Sequence, residues 1–187
     1  MRIISGLFKG KKILSPINLQ TRPLKDLVKE SIFNIINHSP KLLINIQNST
    51  ILDLFSGVGS FGLECLSRGS EHVTFFENYD GVLPILKKNL TSLELNNKYE
   101  IIEKDLFNKD SFALLSKKFD IIFIDPPYKN KNLSFILKSI FKNEIFNNNG
   151  ILIIHRHIKE NDVFIPEFKI MDEKKYGISK IIFGTTN

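Results

Sequence analysis

Residues 51–62 read Ile-Leu-Asp-Leu-Phe-Ser-Gly-Val-Gly-Ser-Phe-Gly, which is a short apolar run followed directly by a glycine-rich turn. The apolar run is typical of a buried strand, and the residues after the turn predict a helix. Gly57, Gly59 and Gly62 follow a G-x-G-x-x-G pattern, in which the backbone turns tightly and approaches a ligand closely. Glu77 lies 20 residues beyond Gly57, where a carboxylate can accept hydrogen bonds from a ribose. The stretch therefore predicts an α/β fold that binds a nucleoside-containing cofactor.

Apolar runs and helical patterns alternate beyond this turn. The predicted strands are 51–55, 72–76, 99–103, 119–124 and 150–154, and the predicted helices are 60–68, 80–95, 108–117 and 132–143. This alternation predicts a mainly parallel sheet with helices on both faces. Two more strands, around 167–173 and 178–184, lack an intervening helix, so we expect them to pair antiparallel through the turn near Tyr176 and Gly177. The expected fold class is Rossmann-like α/β, with a seven-stranded, mainly parallel sheet and an antiparallel C-terminal hairpin.

The segment before residue 46 differs in composition from the α/β region. Short apolar runs at 2–5 and 12–14 flank a stretch rich in glycine and lysine, which predicts a small hairpin or extended arm. Residues 25–37 show a helical period. We therefore expect an N-terminal arm and helix over residues 1–45 and a second domain over residues 46–187.

The formal charge of +6 is concentrated near the N-terminus. Residues 1–30 contain seven basic and two acidic residues, so this segment carries +5 and the rest of the chain only +1. A local basic patch indicates a polyanionic partner more than a merely solvated surface. No run approaches the roughly 18 apolar residues of a membrane span, and the start lacks the apolar core of a signal peptide. Cys65 is the single cysteine, which excludes an internal disulfide and a cysteine-rich zinc site. We expect a soluble, cytoplasmic monomer with no membrane partner and no metal.

Asp53 distinguishes between two cofactors that both suit the glycine turn. A carboxylate four residues before Gly57 would repel the pyrophosphate of a dinucleotide such as NAD. S-Adenosylmethionine has no phosphate, and its positive ammonium and sulfonium groups would be attracted. The alternative is that Asp53 only braces the turn or caps the helix. Asp105, just after the third strand, either accepts a hydrogen bond from an adenine amino group or is an exposed loop acid.

Asp125-Pro126-Pro127-Tyr128 ends a strongly apolar predicted strand. The prolines fix the backbone and remove two N–H donors, which leaves the Asp125 carboxylate and the Pro126 carbonyl as a rigid pair of acceptors. Two such acceptors can hold the N–H bonds of a base amino group so that its lone pair points at a methyl donor. Tyr128 can stack on the base, which must leave any duplex first. Since ligands bind at the carboxyl ends of parallel strands, we expect Asp125 close to Gly57. The alternative is a simple strand-ending turn.

Several stretches together make a resemblance to one family specific. They are residues 53–64, 76–78, 104–106 and 119–128, with 2–6, 10–14, 21–23 and 29–34 nearer the N-terminus. In these stretches the chain resembles, over nearly its whole length, the RsmD family of bacterial methyltransferases, which modify a guanine N2 in 16S ribosomal RNA. Many methyltransferases share the glycine turn and the Asp-Pro-Pro-Tyr element, whereas the N-terminal motifs are much narrower.

The resemblance implies S-adenosyl-L-methionine as the cofactor and ribosomal RNA as the partner, within a 30S particle or a late assembly intermediate. It implies that residues 1–45 bind the RNA and that residues 46–187 form the catalytic domain. The implied catalytic residues are Asp125, Pro126, Pro127 and Tyr128. The implied cofactor-binding residues are Asp53, Phe55, Gly57, Gly59, Glu77, Asn78, Asp105 and Leu106. The implied RNA-binding residues are Arg2, Lys9, Lys11, Lys12, Thr21, Arg22 and Pro23.

The chain departs from the family pattern in two places. Leu24 replaces a threonine, and Leu27 and Lys29 replace arginines, so forked phosphate contacts would be lost. After the fifth strand, residues 155–157 read His-Arg-His where the family tends to carry glutamates. His155 and His157 share a strand face, so metal binding is one alternative. We expect an ordinary surface pair instead, because no third metal ligand is evident.

Three alternatives stay open at this point. An adenine-N6 methyltransferase acting on DNA or RNA would use the same 125–128 element, and only the N-terminal motifs argue against it. An NAD-dependent oxidoreductase is disfavoured by Asp53 and by the lack of an evident acid or base for hydride transfer. A non-catalytic RNA-binding or ribosome-assembly factor is disfavoured by the intact acidic and glycine positions.

Overall fold

The computed structural model describes residues 1–16, 24–95, 97–108, 110–127 and 132–186. Its strands are β1 Thr50–Leu54, β2 His72–Phe76, β3 Tyr99–Ile102, β4 Phe119–Ile124, β5 Phe146–His157, β6 Phe168–Tyr176 and β7 Ser179–Thr186. Its α-helices are α1 Asp26–His38, α2 Ser60–Ser67, α3 Leu83–Thr91 and α4 Leu133–Lys142.

All the strands belong to one sheet with the order β3-β2-β1-β4-β5-β7-β6. Strands β1 to β5 pair parallel, and β7 pairs antiparallel with both β5 and β6. The predicted seven-stranded, mainly parallel sheet with an antiparallel C-terminal hairpin is therefore confirmed. The strand order reverses direction between β1 and β4, and ligands in open α/β sheets bind at the carboxyl ends of the strands at such a reversal.

Alternate residues of the central strands pack on opposite faces of the sheet. Ile51 and Ile121 lie in an apolar cluster that also contains residues of α1, α2 and α3. Leu52 and Ile122 lie in a second apolar cluster, which contains the buried residues of α4. Because both faces are covered, the central strands are nearly continuous apolar runs, as strands of buried parallel sheets are.

The described part of the N-terminal segment packs on the same face as α1. Ile3, Ile13 and Leu24 belong to the cluster that contains Ile51. The expected hairpin is limited to one antiparallel bridge between Arg2 and Lys12. The division into residues 1–45 and 46–187 stays a prediction.

Lys29, which stands where the family pattern has an arginine, is part of a buried ionic network. Its side chain is 0% exposed, and Nζ donates a hydrogen bond to the Arg2 carbonyl at 2.7 Å. The same Nζ lies 3.6 Å from Oε2 of Glu64 in α2. The Glu64 carboxylate also accepts hydrogen bonds from the backbone N–H groups of Ile4 and Ser5, at 2.8 and 2.9 Å. Lys29 therefore fastens the arm to α2, and its charge is not available to RNA.

The predicted helix over 108–117 is wrong, because the described residues of this stretch, 108 and 110–117, contain only a short 3₁₀ turn at Phe112–Leu114. Side chains before it bond to the local backbone instead. The Phe107 N–H donates to Oδ1 of Asp105 at 2.9 Å, and the Ser111 hydroxyl donates to the Asp105 carbonyl. Short polar side chains compete with helix formation in this way.

Smaller differences concern the ends of elements. Helix α3 begins at Leu83 rather than near residue 80, with a proline in its first turn, where proline is tolerated. Strand β5 begins at Phe146, four residues earlier than residue 150. No α-helix in the part of the chain described above is long and apolar enough to cross a membrane.

Candidate active site

The carboxyl ends of β1, β2 and β4 meet in one place. The Asp125 N–H donates to the Leu54 carbonyl at 3.3 Å, and the Ser56 N–H donates to the Phe76 carbonyl at 3.2 Å. The Gly57 N–H donates to Oε2 of Glu77 at 2.8 Å. The structure thus brings together the glycine turn, the acidic residue after β2 and the Asp-Pro-Pro segment.

The glycines of the turn have different roles. A Cβ on Gly59 would lie 2.6 Å from Leu86 Cδ1, and one on Gly62 would lie 2.3 Å from Phe75 Cε1, so both permit close packing. A Cβ on Gly57 would meet no atom within 4 Å, and the φ of Gly57 is +55°. Gly57 therefore borders open space, where a ligand can approach the backbone.

Phe55, just before the turn, has a φ of 58°. A non-glycine residue in this left-handed region costs of order 1–3 kcal/mol and is typical of functional sites. The Phe55 ring lies 6.0 Å from the Phe107 ring, which lies 6.0 Å from the Phe135 ring. These partly buried aromatic rings pack against the second apolar cluster, beginning next to the glycine turn at Phe55. The sequence did not indicate that Phe107 and Phe135 lie near Phe55.

Glu77 is held rigidly by backbone groups. Its Oε2 accepts from the Gly57 N–H, and its Oε1 accepts from the N–H groups of Asn78 and Tyr79 at 2.9 and 2.8 Å. A carboxylate has about four lone-pair sites, so one remains on Oε2 for a ligand hydroxyl. Asn78 itself is exposed and contributes its backbone N–H to this arrangement.

Asp53 is 1% exposed and accepts a hydrogen bond from the Gly62 N–H at 3.0 Å. Asp53 therefore caps the first turn of α2, which is one of the alternatives considered for it, and its cofactor contact stays a prediction. Burial raises the pKa of Asp53 well above its ordinary value, and the negative charges of Asp125 and Glu77 raise it further. A raised pKa disfavours the charged form of Asp53, so a bound cation would stabilise that charged form, whereas a pyrophosphate would oppose it.

The site fits S-adenosylmethionine by a second observation. The Ser60 hydroxyl, in the first turn of α2, is buried and has no hydrogen-bond partner among the described residues. A buried hydroxyl without a partner is costly, and a polar ligand in the adjacent turn would supply one. Asp53, Glu77 and Gly57 would hold the cationic and ribose parts of the cofactor. The same acidic set disfavours NAD.

Asp105 and Leu106 occupy different environments. Asp105 is exposed at the end of β3, and its Oδ1 accepts from the Phe107 N–H at 2.9 Å. The Leu106 side chain is buried in the second apolar cluster. Any contact between Leu106 and an adenine would therefore involve its backbone.

His155 contacts a predicted site residue, which the sequence did not indicate. It is 6% exposed, so the expectation of an ordinary surface pair is wrong for this residue. Its Nδ1 lies 2.8 Å from Asp125 Oδ1, and its Nε2 lies 2.9 Å from Ser179 Oγ. Burial would lower the pKa of His155, but the charge of Asp125 and the hydrogen bond to it outweigh this effect, so the pKa is raised. The sequence signal that could have placed His155 near Asp125 was its position close to the carboxyl end of β5.

The other residues that depart from the family pattern make contacts within the protein or lie at its surface. The Arg156 side chain is buried, and its Nε donates to both carboxylate oxygens of Asp162 at 3.0 and 2.9 Å. His157 is only partly buried, and its Nδ1 accepts from the Lys159 N–H at 3.1 Å. Leu24 is buried in the core, whereas Leu27 is exposed.

The basic arm presents some of its charges to solvent. Arg2, Lys9 and Lys12 are exposed. Lys11 is partly buried and donates from Nζ to the Ser92 carbonyl. Four predicted site residues lie outside the described residues: Thr21, Arg22, Pro23 and Tyr128.

The comparisons with known proteins agree with this geometry. The family described as Conserved hypothetical protein 95 matches residues 1–185. The chain is 34% identical to YlbH of Bacillus subtilis, a protein named as a candidate rRNA methyltransferase, over 97% of this chain and 96% of that protein. It is 32% identical to ribosomal RNA small subunit methyltransferase D of Haemophilus influenzae, over 95% of this chain and 90% of that protein.

A solved structure shows the same fold. The structure of yhhF from Escherichia coli, described as a candidate methyltransferase, has a TM-score of 0.80 and 24% sequence identity. The match covers 100% of this chain and 98% of that one. The seven-stranded sheet is therefore Rossmann-like and has the same fold as that structure.

Proposed function

Because this chain belongs to the family described as Conserved hypothetical protein 95, the RsmD family, we propose that it methylates a guanine N2 amino group in 16S ribosomal RNA. The relatives named as rRNA methyltransferases support ribosomal RNA as the substrate class. The finer choice of guanine N2 is supported by the N-terminal motifs that the chain shares with this family.

One observation carries the methyl-transfer proposal. The Asp125 N–H donates a hydrogen bond to the carbonyl of Leu54, the last residue of β1. Strand β1 leads directly into the glycine turn. This position of Asp125 beside the glycine turn supports the proposal, because a base held by Asp125 and a methyl donor held by the turn would meet there. S-Adenosylmethionine, when bound, supplies an electrophilic methyl group.

The chain contributes positioning and charge to the reaction. Asp125 and the Pro126 carbonyl accept the two N–H bonds of the target amino group and orient its lone pair. Pro127 keeps the backbone rigid, and Tyr128 stacks on the base. Asp53 and Glu77 hold the cofactor by attraction to its positive groups and by hydrogen bonds to its ribose.

The remaining predicted residues extend these two surfaces. Phe55, Gly57, Gly59, Asn78, Asp105 and Leu106 border the cofactor. Arg2, Lys9, Lys11, Lys12, Thr21, Arg22 and Pro23 border the RNA. The exposed charges of Arg2, Lys9 and Lys12 support RNA contact by this arm. We propose that a monomer acts on a 30S particle or a late assembly intermediate.

The test is methyl transfer from labelled S-adenosylmethionine to small-subunit particles that lack base methylation, followed by nucleoside analysis of the RNA. The expected product is N2-methylguanine, and Asp125→Ala should abolish turnover while the cofactor dissociation constant changes little. N6-methyladenine would move the target to adenine. Cofactor binding without transfer to any nucleic acid, or an active Asp125→Ala protein, would contradict the mechanism. A protein that binds RNA and not the cofactor would be a non-catalytic assembly factor.

A further inference from the structure

Three strands contribute to one hydrogen-bonded chain at the edge of the site. Asp125 follows β4, His155 lies in β5 and Ser179 begins β7. The distances are 2.8 Å from Asp125 Oδ1 to His155 Nδ1 and 2.9 Å from His155 Nε2 to Ser179 Oγ. His155 and Ser179 are buried, whereas the Asp125 side chain is 22% exposed. These hydrogen bonds thus connect the buried Ser179 and His155 to Asp125, whose side chain is exposed enough to contact a substrate.

The chemistry of the partners fixes the direction of these hydrogen bonds. A carboxylate can only accept, so the proton between Asp125 and His155 belongs to Nδ1. In the neutral ring Nε2 is then an acceptor, and the Ser179 hydroxyl donates to it. Ser179 therefore stabilises the one tautomer that can donate to Asp125.

We propose that His155 is a positioning residue for Asp125. The His155 ring holds Oδ1 of Asp125, so that Oδ2 of Asp125 accepts the N–H of the target amino group. The proposal rests on the methyl-transfer function above. Without this bond the Asp125 carboxylate can rotate about its terminal torsion, which is broad and roughly two-fold. A target nitrogen held in the wrong geometry reacts much more slowly, because a small misplacement is costly.

The same pair makes the reaction sensitive to pH. Among the residues that the structure describes, the groups that face the ring include the Asp125 carboxylate from the end of β4, the Ser179 hydroxyl from β7 and the Arg156 guanidinium next along β5. Burial lowers the pKa of His155, whereas the charge of Asp125 and the hydrogen bond to it raise that pKa. The net effect is a His155 pKa above 6.5. Below that pKa the ring is a cation that donates from both nitrogens. Asp125 is then a weaker acceptor for the substrate, so kcat falls as the pH falls.

The first experiment compares kcat, the KM for particles and the cofactor dissociation constant in three variants. His155→Leu removes the donor and should lower kcat roughly 10- to 100-fold, the range typical of supporting hydrogen-bond partners, with both binding constants nearly unchanged. His155→Asn places an amide N–H near the position of Nδ1 and should recover most of kcat. His157→Leu, two residues along the same strand, is the matched control and should behave as the wild type.

The pH profile separates positioning from a merely structural role. The wild type should show an acid-side inflection in kcat, and His155→Asn should lack it, because an amide does not titrate in this range. Nitrogen NMR of the labelled ring should show the Nδ1–H tautomer and a pKa that falls in Asp125→Asn. A His155 pKa that is unaffected by Asp125→Asn would overturn the proposal.

The outcomes also separate this proposal from the proposed function. A wild type that transfers no methyl group would overturn the function itself. An active wild type with His155→Leu equally active would overturn only the role of His155. If His155→Leu does not fold, His155→Asn decides: loss of kcat to the level of Asp125→Ala would contradict positioning by a single N–H donor.

Discussion

The Asn89 side chain joins the N-terminal arm to the glycine turn. From α3, its Nδ2 donates to the Val58 carbonyl at 3.0 Å and to the Leu14 carbonyl at 3.2 Å. Its Oδ1 accepts from the Leu14 N–H at 2.8 Å. One buried amide therefore ties the proposed RNA-binding arm to the loop that would hold the cofactor.

Asn89→Ala should weaken this connection. Loss of the side chain leaves the buried Val58 carbonyl without this donor, which costs about 1–3 kcal/mol, whereas the part-buried backbone groups of Leu14 become open to water. We expect a lower urea midpoint and faster hydrogen exchange of the Leu14 amide. Asn89→Asp is the control, since it keeps the acceptor for Leu14 and should slow that exchange again. Equal exchange in all three proteins would show that Asn89 does not hold the arm.

Gly57 and Gly62 should respond differently to alanine. Gly57→Ala places a methyl group in open space at a φ of +55°, so the fold should lose only about 1 kcal/mol of stability while cofactor affinity drops at least tenfold. Gly62→Ala forces a Cβ against Phe75 and should lower the free energy of unfolding by about 1–3 kcal/mol. Calorimetric cofactor titration and urea unfolding measure the two effects. Unchanged affinity in Gly57→Ala would exclude this turn as the cofactor contact.

Lys9 and Lys12 should contribute to RNA binding through phosphate contacts. Both are exposed, so alanine at each should lower the salt dependence of RNA binding by about 0.7–0.9 in the log–log slope. Lys142→Ala is the matched control, because Lys142 is exposed at the end of α4, beside the start of β5 and away from Asp125. Filter binding at several salt concentrations measures the slopes. The same slope for all four proteins would place the RNA elsewhere.

The raised pKa of His155 should make stability depend on pH. A histidine whose pKa is higher in the folded than in the unfolded protein contributes stability that is complete below 6.5 and lost as the pH rises through the folded value. The difference in unfolding free energy between wild type and His155→Asn should therefore be largest in mild acid and decline towards alkaline pH. Urea unfolding at a series of pH values measures it. A difference that grows with pH would contradict the ion pair with Asp125.

The site was predictable from the sequence where parallel strands determine it. Gly57, Glu77 and Asp125 each follow an apolar run, and the carboxyl ends of parallel strands share one edge of a sheet. Their proximity required no knowledge of side-chain packing. The family assignment was predictable for a similar reason, because motifs along the whole chain agreed with it, and it is confirmed.

The roles of Lys29 and His155 were not predictable in the same way. Each is a polar residue whose burial depends on partners far along the chain, Glu64 for Lys29 and both Asp125 and Ser179 for His155. Local patterns carry no information about such pairs, and charged or polar residues are usually exposed. The false helix at 108–117 has a local cause, since the hydrogen bonds of Asp105 and Ser111 outweigh a weak apolar period.

The hydrogen bonds from the Ile4 and Ser5 N–H groups to the Glu64 carboxylate affect the order of folding. The N–H of Ile4 and the carboxylate that receives it are 60 positions apart. At synthesis rates of about 5–20 residues per second, the arm waits roughly 3–12 seconds for that partner to be made. Contacts of such long range form late and cost loop-closure entropy. We therefore expect the first-made part of the chain to dock among the last, once α2 has formed.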